Sequence, residues 1–504
     1  MSNATQTVYD LAVVGGGING TGIARDAAGR GLKVVLLEKD DLAAHTSSWS
    51  TKLIHGGLRY LEHFEFRLVA ESLAEREVLL RAAPHIIEPL QFVLPHEPHL
   101  RPAWMIRAGL FLYDHLGGRR TLPASFSVDL ARTEWGAGLK RKFHTGFVYS
   151  DARVDDARLV IANAIDARER GADIRTRTPL VAARRDDGLW RISTPERGGG
   201  PNELRARVLV NASGPWVKRV QDELCAAPGR EGVRHIKGSH IVVPRVHRGE
   251  HAYILQNADK RIVFVIPYQG KFSLIGTTDV AVEDYDKPQI SPEEIAYLCD
   301  IAGAYLDRPP VPSDIVWSYS GVRPLYDDGS ADPSAVTRDY VLKLDSGENG
   351  KAPLLSVYGG KITTYRRLAE QALSELAAFF PGMKSAWTHG EPLPGGDVPR
   401  GDLSQYRSQL AARYPILPDE CREALLRRHG TRATRLLGEA RTTADLGTHF
   451  GDTLYAAEID YFVAQEWARS AEDVLWRRTK CGLHLTPTQR EAVGLYLLEQ
   501  YGYR

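Results

Sequence analysis

Apolar residues run almost unbroken from Val8 to Val14 and recur at helical spacing from Ile18 to Gly29, and a second run spans Lys33 to Leu37. The pattern predicts strand, helix and strand, a β-α-β opening that favours a parallel α/β sheet. Helical periodicity returns over Glu65 to Ala83 and Ala157 to Arg170, ahead of the strand-like Arg207 to Asn211. From Ile236 to Thr278 short apolar runs (Ile241-Val242-Val243, Ile262 to Ile266, Ser273-Leu274-Ile275) are separated by turn formers such as Gln269-Gly270, which predicts an antiparallel sheet. The apolar Leu354 to Val357 then leads to a glycine pair and a further helix, and beyond Pro394-Gly395-Gly396, expected as a linker, helix formers dominate.

These elements predict a Rossmann-like α/β nucleotide-binding domain that is discontinuous (1–75, 145–235 and 318–393). Inserted into it is an antiparallel β-sheet substrate or roof domain (76–144 and 236–317), and a C-terminal α-helical cap follows (394–504). A chain of 504 residues, 43% hydrophobic and 25% charged, can bury cores of that size. Its formal charge of +1 gives no global attraction to nucleic acid, so any preference for phosphate has to come from a local site. Cys225, Cys299, Cys421 and Cys481 form no CxxC pair, which argues against a zinc, iron-sulfur or dithiol centre, and no metal is expected. The polar Met1 to Thr7 leaves no room for a signal peptide, so a cytoplasmic chain is expected. No run of about 18 apolar residues suits a membrane-spanning helix, while surface attachment stays open.

Gly15-Gly16-Gly17-Ile18-Asn19-Gly20 fits G-x-G-x-x-G. Alone this is weak, but here it follows a strand, opens a helix and precedes a second strand ending at Glu38. Gly15 permits the tight turn, Gly17 lets backbone approach a pyrophosphate, and Gly20 allows close helix-strand packing. The helix N-terminus offers unpaired N–H groups, and Glu38 can accept bonds from ribose hydroxyls while repelling a 2′-phosphate. FAD is preferred to NAD because the fingerprint lies at the extreme N-terminus and two later segments look like flavin contacts. The first is Val210 to Gly214. The second is Tyr358-Gly359-Gly360-Lys361, expected to open a helix through Thr364 and Arg367 whose N-terminus faces the charge that develops on a reduced flavin.

Val14 to Asp26, ending at Arg30-Gly31, and Gly359 to Ala369 resemble the two signatures of FAD-dependent, quinone-linked sn-glycerol-3-phosphate dehydrogenases. Further matches are Thr46-Ser47-Ser48, Lys52 to Leu61, Ile236 to His240, Ser320 to Pro324 and Trp476 to Lys480, so the likeness covers nearly the whole chain. Trp49 is bulkier and Ser213 less common than the family pattern. Neither a calcium-binding extension nor a cysteine-bearing C-terminal region is present, which fits the aerobic bacterial type.

The resemblance implies oxidation of sn-glycerol 3-phosphate to glycerone phosphate by hydride transfer from C2 to FAD N5. It further implies reoxidation by ubiquinone at the cytoplasmic face of the inner membrane; the flavin is expected to be bound non-covalently. Arg59 and Arg323 are the candidate phosphate anchors, because the guanidinium fork suits phosphate oxygens, and Tyr60 and Lys361 add donors; Arg323 and Lys361 also count among the candidate catalytic residues. His55 and His240 are the candidate proton acceptors, His55 ranking ahead because Gly56-Gly57 permits close approach to the flavin. Cofactor contacts are expected from Gly15, Gly16, Gly17, Asn19, Gly20, Glu38, Thr46, Ser47, Ser48, Gly214, Gly360, Lys361, Ile362 and Thr363. Aromatic and basic residues interleave from His99 to Arg120 (Trp104, Phe111, Arg101, Arg107, Arg119 and Arg120), which suits either an anionic interface or an interior amphipathic helix. Trp467, Trp476 and Arg477-Arg478 carry the same two readings. An oxygen-using oxidase, an amine or amino-acid oxidase and a non-catalytic nucleotide-binding scaffold are the competing functions, and a homodimer stays open.

Overall fold

The computed structural model describes residues 7–97, 101–118, 121–195, 202–257, 259, 261–327, 339–346 and 351–503. Two sheets organise them. In the first, the neighbours run Val341–Asp345, Leu354–Tyr358, Asn202–Asn211, Val8–Val14, Val34–Leu37 and Asp173–Arg175. Four of the five pairings in this run are parallel, as crossover helices require, while Val341–Asp345 at one end and Leu189–Thr194 off the run join antiparallel. The helix Ile18–Gly29 packs against the helices Asp156–Glu169 and Tyr365–Glu375. Small residues on it make the approach close: a Cβ on Gly22 would stand 2.8 Å from the Tyr365 ring, and Ala24 and Ala27 are fully buried.

The second sheet runs Val280–Ala281, Gly232–Pro244, Phe272–Gly276, Ile262–Tyr268, Ala252–Gln256, Ile87–Pro95, Thr145–Val154 and Leu53–Ile54, with Trp317–Asp327 along Gly232–Pro244. It is antiparallel except where Ala252 and Tyr253 pair parallel with Phe92 and Val93. The division of the chain differs from the expected boundaries at three places. Leu53–Ile54, Thr145–Val154 and Trp317–Asp327, assigned above to the nucleotide domain, all pair in this sheet. The reason is burial: Phe147 and Tyr149 complete the core around Phe92 and Ile254, which the shorter insertion would leave open.

The C-terminal region carries the helices Leu403–Arg413, Asp419–His429, Ala456–Glu466 and Pro487–Tyr501, the last closed by a Thr486–Gln489 capping box. A short antiparallel pair, His449–Gly451 with Leu454–Tyr455, interrupts the expected all-helical cap. The Pro394-Gly395-Gly396 linker is a tightly packed turn, since a Cβ on Gly396 would meet Ala82 O at 2.1 Å. Buried ion pairs fasten the cap to the first domain. Arg158 Nη2 donates to Glu466 Oε1 at 2.9 Å, Lys480 lies 3.3 Å from Asp155, and Arg477 and Arg478 converge on Asp41. Those two arginines are therefore interior, which removes them from a lipid-facing surface. Trp476 stacks on Trp317 at 4.6 Å.

Candidate functional site

The first strand ends at Val14 and turns at Gly15, whose φ of +114° few side chains tolerate and on which a Cβ would lie 2.4 Å from Ala212 O. The helix starts beyond Gly17, and a Cβ on Gly20 would stand 1.9 Å from Gly15 O, so turn and helix interlock without side chains. Glu38 closes the opposite wall. It accepts from Gly16 N–H at 2.6 Å and Asp40 N–H at 2.8 Å, while burial pushes its carboxyl up against those bonds. The resulting cavity, about 320 Å³, is lined by Gly15, Gly17, Asn19, Glu38, Thr46, Ser47, Gly214 and Gly360, with Leu180, Trp216 and Leu224 at an apolar end. Glu38, Asp40 and His45 place ligand-type atoms within 4.8 Å of one another. Both Glu38 oxygens are taken by backbone N–H groups and Asp40 pairs with His45 at 2.7 Å, so this group belongs to the wall and carries no metal argument.

Other expected contacts are not in the lining or are already engaged within the protein. Gly16 and Gly20 are not among the cavity's lining residues. Ser47 Oγ accepts from Ile18 N–H at 2.9 Å, occupying one of the free donors at the helix head, and Ser48 turns away to His45 O at 3.3 Å. Lys361, Ile362 and Thr363 are not among its lining residues. Gly359 and Gly360 adopt φ of +72° and +98°, but the following helix begins at Tyr365 with Thr364 as its cap, four residues later than expected. Lys361 to Thr364 form a turn instead, closed by Thr364 N–H on Lys361 O at 3.1 Å. Asn19 ties this turn to the fingerprint by donating to Gly359 O at 3.1 Å, and its own side-chain oxygen is buried without a partner.

From Thr46 to Tyr60 the chain runs from this cavity to the remaining candidates. Thr46 Oγ1 donates to Val322 O at 2.8 Å, and Trp49, the residue that departs from the family pattern, donates to Ala44 O and stacks among Trp317 and Tyr319. The buried Lys52 ammonium lies 2.9 Å from both Asp156 oxygens and 2.8 Å from Ser48 O. Thr51 Oγ1 is 3.0 Å from His240 Nε2, and His55 N–H donates to Thr363 Oγ1 at 3.3 Å.

The two histidines differ in electrostatic setting. His240 is 2% exposed and stacked on Tyr319; burial, then Lys52, then Arg323, push its pKa down to about 3. His55 is also pushed down by burial, but Asp151 works in the other direction and Lys361 against it. Among the cations, Arg323 spends Nη2 on Asp279 at 3.0 Å and Thr278 O at 3.3 Å. Among the described residues, Arg59 is half-buried with no ion-pair or hydrogen-bond partner. The Lys361 ammonium is shielded from solvent without an acceptor, 4.0 Å above the Tyr60 ring. An ammonium shielded from water with no acceptor carries an uncompensated charge, which the Tyr60 ring offsets only in part.

Residues 10–366 match the family described as FAD dependent oxidoreductase, and residues 386–495 match the C-terminal domain of alpha-glycerophosphate oxidase. A glycerol-3-phosphate dehydrogenase of Pseudomonas aeruginosa is 57% identical over 99% of this chain and 96% of its own. A D-erythritol 1-phosphate dehydrogenase of Brucella abortus is 53% identical over 96% of each. The crystal structure of the glycerol-3-phosphate dehydrogenase from Bacillus halodurans complexed with FAD superposes with a TM-score of 0.78 at 26% identity, covering 100% of this chain and 92% of that one.

The chain belongs to the FAD-dependent glycerol-3-phosphate dehydrogenase family.

As a member of that family it is an oxidoreductase that uses FAD. The cavity fits the group: Gly15, Gly17, Gly214 and Gly360 line it without side chains, Glu38 stands in its wall, and the Asn19 side-chain oxygen is buried without a partner. Residues that the sequence reading missed are those behind the candidates. Thr51 holds His240, Lys52 and Asp156 brace the loop, and Tyr113 with Asp151 stands behind Gly56. Thr51 lay in view beside the Ser/Thr-rich stretch, whereas nothing in the local sequence joins Asp151 to position 56.

Proposed function

We propose that the chain oxidises sn-glycerol 3-phosphate at C2 to glycerone phosphate and delivers the electrons to a quinone. The observation that carries this reading is the unpartnered Lys361 ammonium over Tyr60, next along the chain to the partnerless Arg59 and joined by the 46–60 segment to the cofactor cavity. A phosphate dianion supplies the missing counter-charge there, and Arg323, with most of its guanidinium N–H groups uncommitted, adds a further arm. FAD, when bound, accepts the carbinol hydride and passes the electrons on.

The protein's own part is to place the hydroxyl and take its proton. His55 is the better acceptor: Asp151 stabilises the imidazolium that forms, whereas His240 stands between Lys52 and Arg323, which oppose it. His240, neutral and held by Thr51, orients a substrate oxygen instead. His55→Ala and His240→Ala separate these roles, since the first removes the chemical step and the second mainly weakens binding.

Quinone as acceptor implies a lipid surface. The helix Ala103–Leu116 exposes Trp104 (69%) and Phe111 (62%), with Phe64 (78%) on the turn beside it, and Arg101 and Arg107 flank them. Arg119 and Arg120 lie outside the described residues. No helix among the described residues is long and apolar enough to cross a membrane. Sedimentation with anionic vesicles, compared between the protein and a Trp104→Ser, Phe111→Ser variant, tests peripheral attachment. Because a relative named for D-erythritol 1-phosphate is nearly as similar, a longer polyol phosphate is the second reading. Comparing kcat/KM for the two phosphates decides between them.

A further inference from the structure

The helix Ala103–Leu116 is apolar outward, yet its inner face delivers one hydroxyl into the core. Tyr113, 2% exposed, accepts from Gly56 N–H at 2.8 Å and donates to Asp151 Oδ2 at 2.7 Å. Asp151, on the strand Thr145–Val154, also accepts from Arg76 Nη1 at 2.8 Å, and Arg76 Nη2 donates to Glu77 Oε1 at 3.0 Å. Glu77 in turn accepts from Thr121 N–H at 2.9 Å. Two helices and a strand therefore meet in a buried, hydrogen-bonded cluster behind the peptide that joins His55 to Gly56. From the other side, His55 N–H is held by Thr363. Successive N–H groups of one turn are gripped by different parts of the molecule, and there is no slack: a Cβ on Gly56 would stand 2.7 Å from Tyr113 Oη.

Arg76 Nε is buried without a partner, but the Tyr113 hydroxyl, both Asp151 oxygens and the Gly56 N–H are all engaged, and bonds in so low a dielectric hold their geometry firmly. We propose that Tyr113 and Asp151 are positioning residues for the His55–Gly57 turn, the hydroxyl fixing the peptide and the carboxylate supplying negative charge behind the imidazole. The proposal rests on reading His55 as the proton acceptor. The charged groups facing His55 are Asp151 from the strand and Lys361 from the turn after Leu354–Tyr358, with Arg76 on the far side of Asp151. Proton uptake by His55 is thus favoured by one neighbour and opposed by another.

Tyr113→Phe removes the hydroxyl and keeps the ring that packs edge-on to Tyr149. It is expected to lower kcat on the order of tenfold with FAD content and KM unchanged. Asp151→Asn removes the charge that favours the imidazolium, so the acid limb of kcat/KM is expected to move to lower pH. The protein is assayed with bound FAD, sn-glycerol 3-phosphate and a soluble quinone, alongside His55→Ala. An active His55→Ala enzyme overturns the proton-acceptor reading itself. An inactive His55→Ala enzyme beside Tyr113→Phe and Asp151→Asn enzymes of unaltered kcat and pH profile overturns the positioning proposal alone. Loss of FAD in proportion to loss of activity in both variants also overturns it, in favour of a purely structural role.

Discussion

Asp41 is where the cap grips the segment that leads into the cofactor cavity. It lies between Glu38 and the cavity-lining Ala43 to Ser47, is 3% exposed, and receives Arg477 Nε at 2.7 Å and Arg478 Nη2 at 2.8 Å. Removing one partner of a buried, hydrogen-bonded ion pair costs about 3–5 kcal/mol, because the remaining charge is left uncompensated. In Asp41→Asn the loss is smaller: Arg477 keeps Asp473 and Glu472, Arg478 keeps the Glu466 carbonyl at 3.2 Å, and the new amide still offers an acceptor. A cost of about 2–3 kcal/mol remains. If all of it falls on the 41–47 segment, the FAD dissociation constant rises by about 30- to 150-fold. The assay is a fluorescence titration of the FAD-free protein with FAD, paired with the rate at which protease cuts the 394–503 region. Wild-type FAD affinity together with wild-type protease resistance refutes the reasoning.

Gly20→Ala places a methyl 1.9 Å from Gly15 O, so turn and helix must separate. Overpacking of this kind costs about 1–3 kcal/mol, and the variant should emerge from gel filtration largely without flavin; full flavin content contradicts the interlock. Arg323→Ala is expected to raise KM for sn-glycerol 3-phosphate by about 10- to 150-fold, the loss of a charge-assisted hydrogen bond worth about 1.5–3 kcal/mol. Unchanged kinetics remove Arg323 from the site. His85 and His240, held by burial at pKa values of about 3, are neutral in the folded protein. The unfolded chain protonates both near pH 6.5, so it binds more protons between about pH 6.5 and 3, and stability falls as pH drops through that window. A Tm that stays level across it, measured calorimetrically with FAD in excess, contradicts those burials.

The first strand, helix and second strand were legible because periodicity, glycine placement and the terminal Glu38 all point the same way within 31 residues, Val8 to Glu38. The cavity wall was legible for the same reason. What escaped the sequence was long-range. Trp317–Asp327 reads as a return to the nucleotide domain until its register with Gly232–Pro244 is seen, and Lys361 reads as a helix opener until the turn to Thr364 is seen. Ser47 and Ser48 look equivalent, yet one caps a helix head and the other faces inward. The arginine pair at 477 and 478 reads as equally suited to solvent or lipid, because its partner, Asp41, is over 430 residues away in the chain. Local pattern says which residues carry charge; only the packing says which charges are already spent.

The central claim is that this cavity and its cationic neighbours serve a phosphate-bearing alcohol. The most direct test is an anaerobic absorbance titration of the FAD-loaded protein with sn-glycerol 3-phosphate, followed by a soluble quinone and, in a parallel sample, by air. Bleaching of the long-wavelength flavin band, with rapid recovery on quinone and slow recovery in air, is the predicted result. A flavin that stays oxidised in the presence of sn-glycerol 3-phosphate contradicts the account.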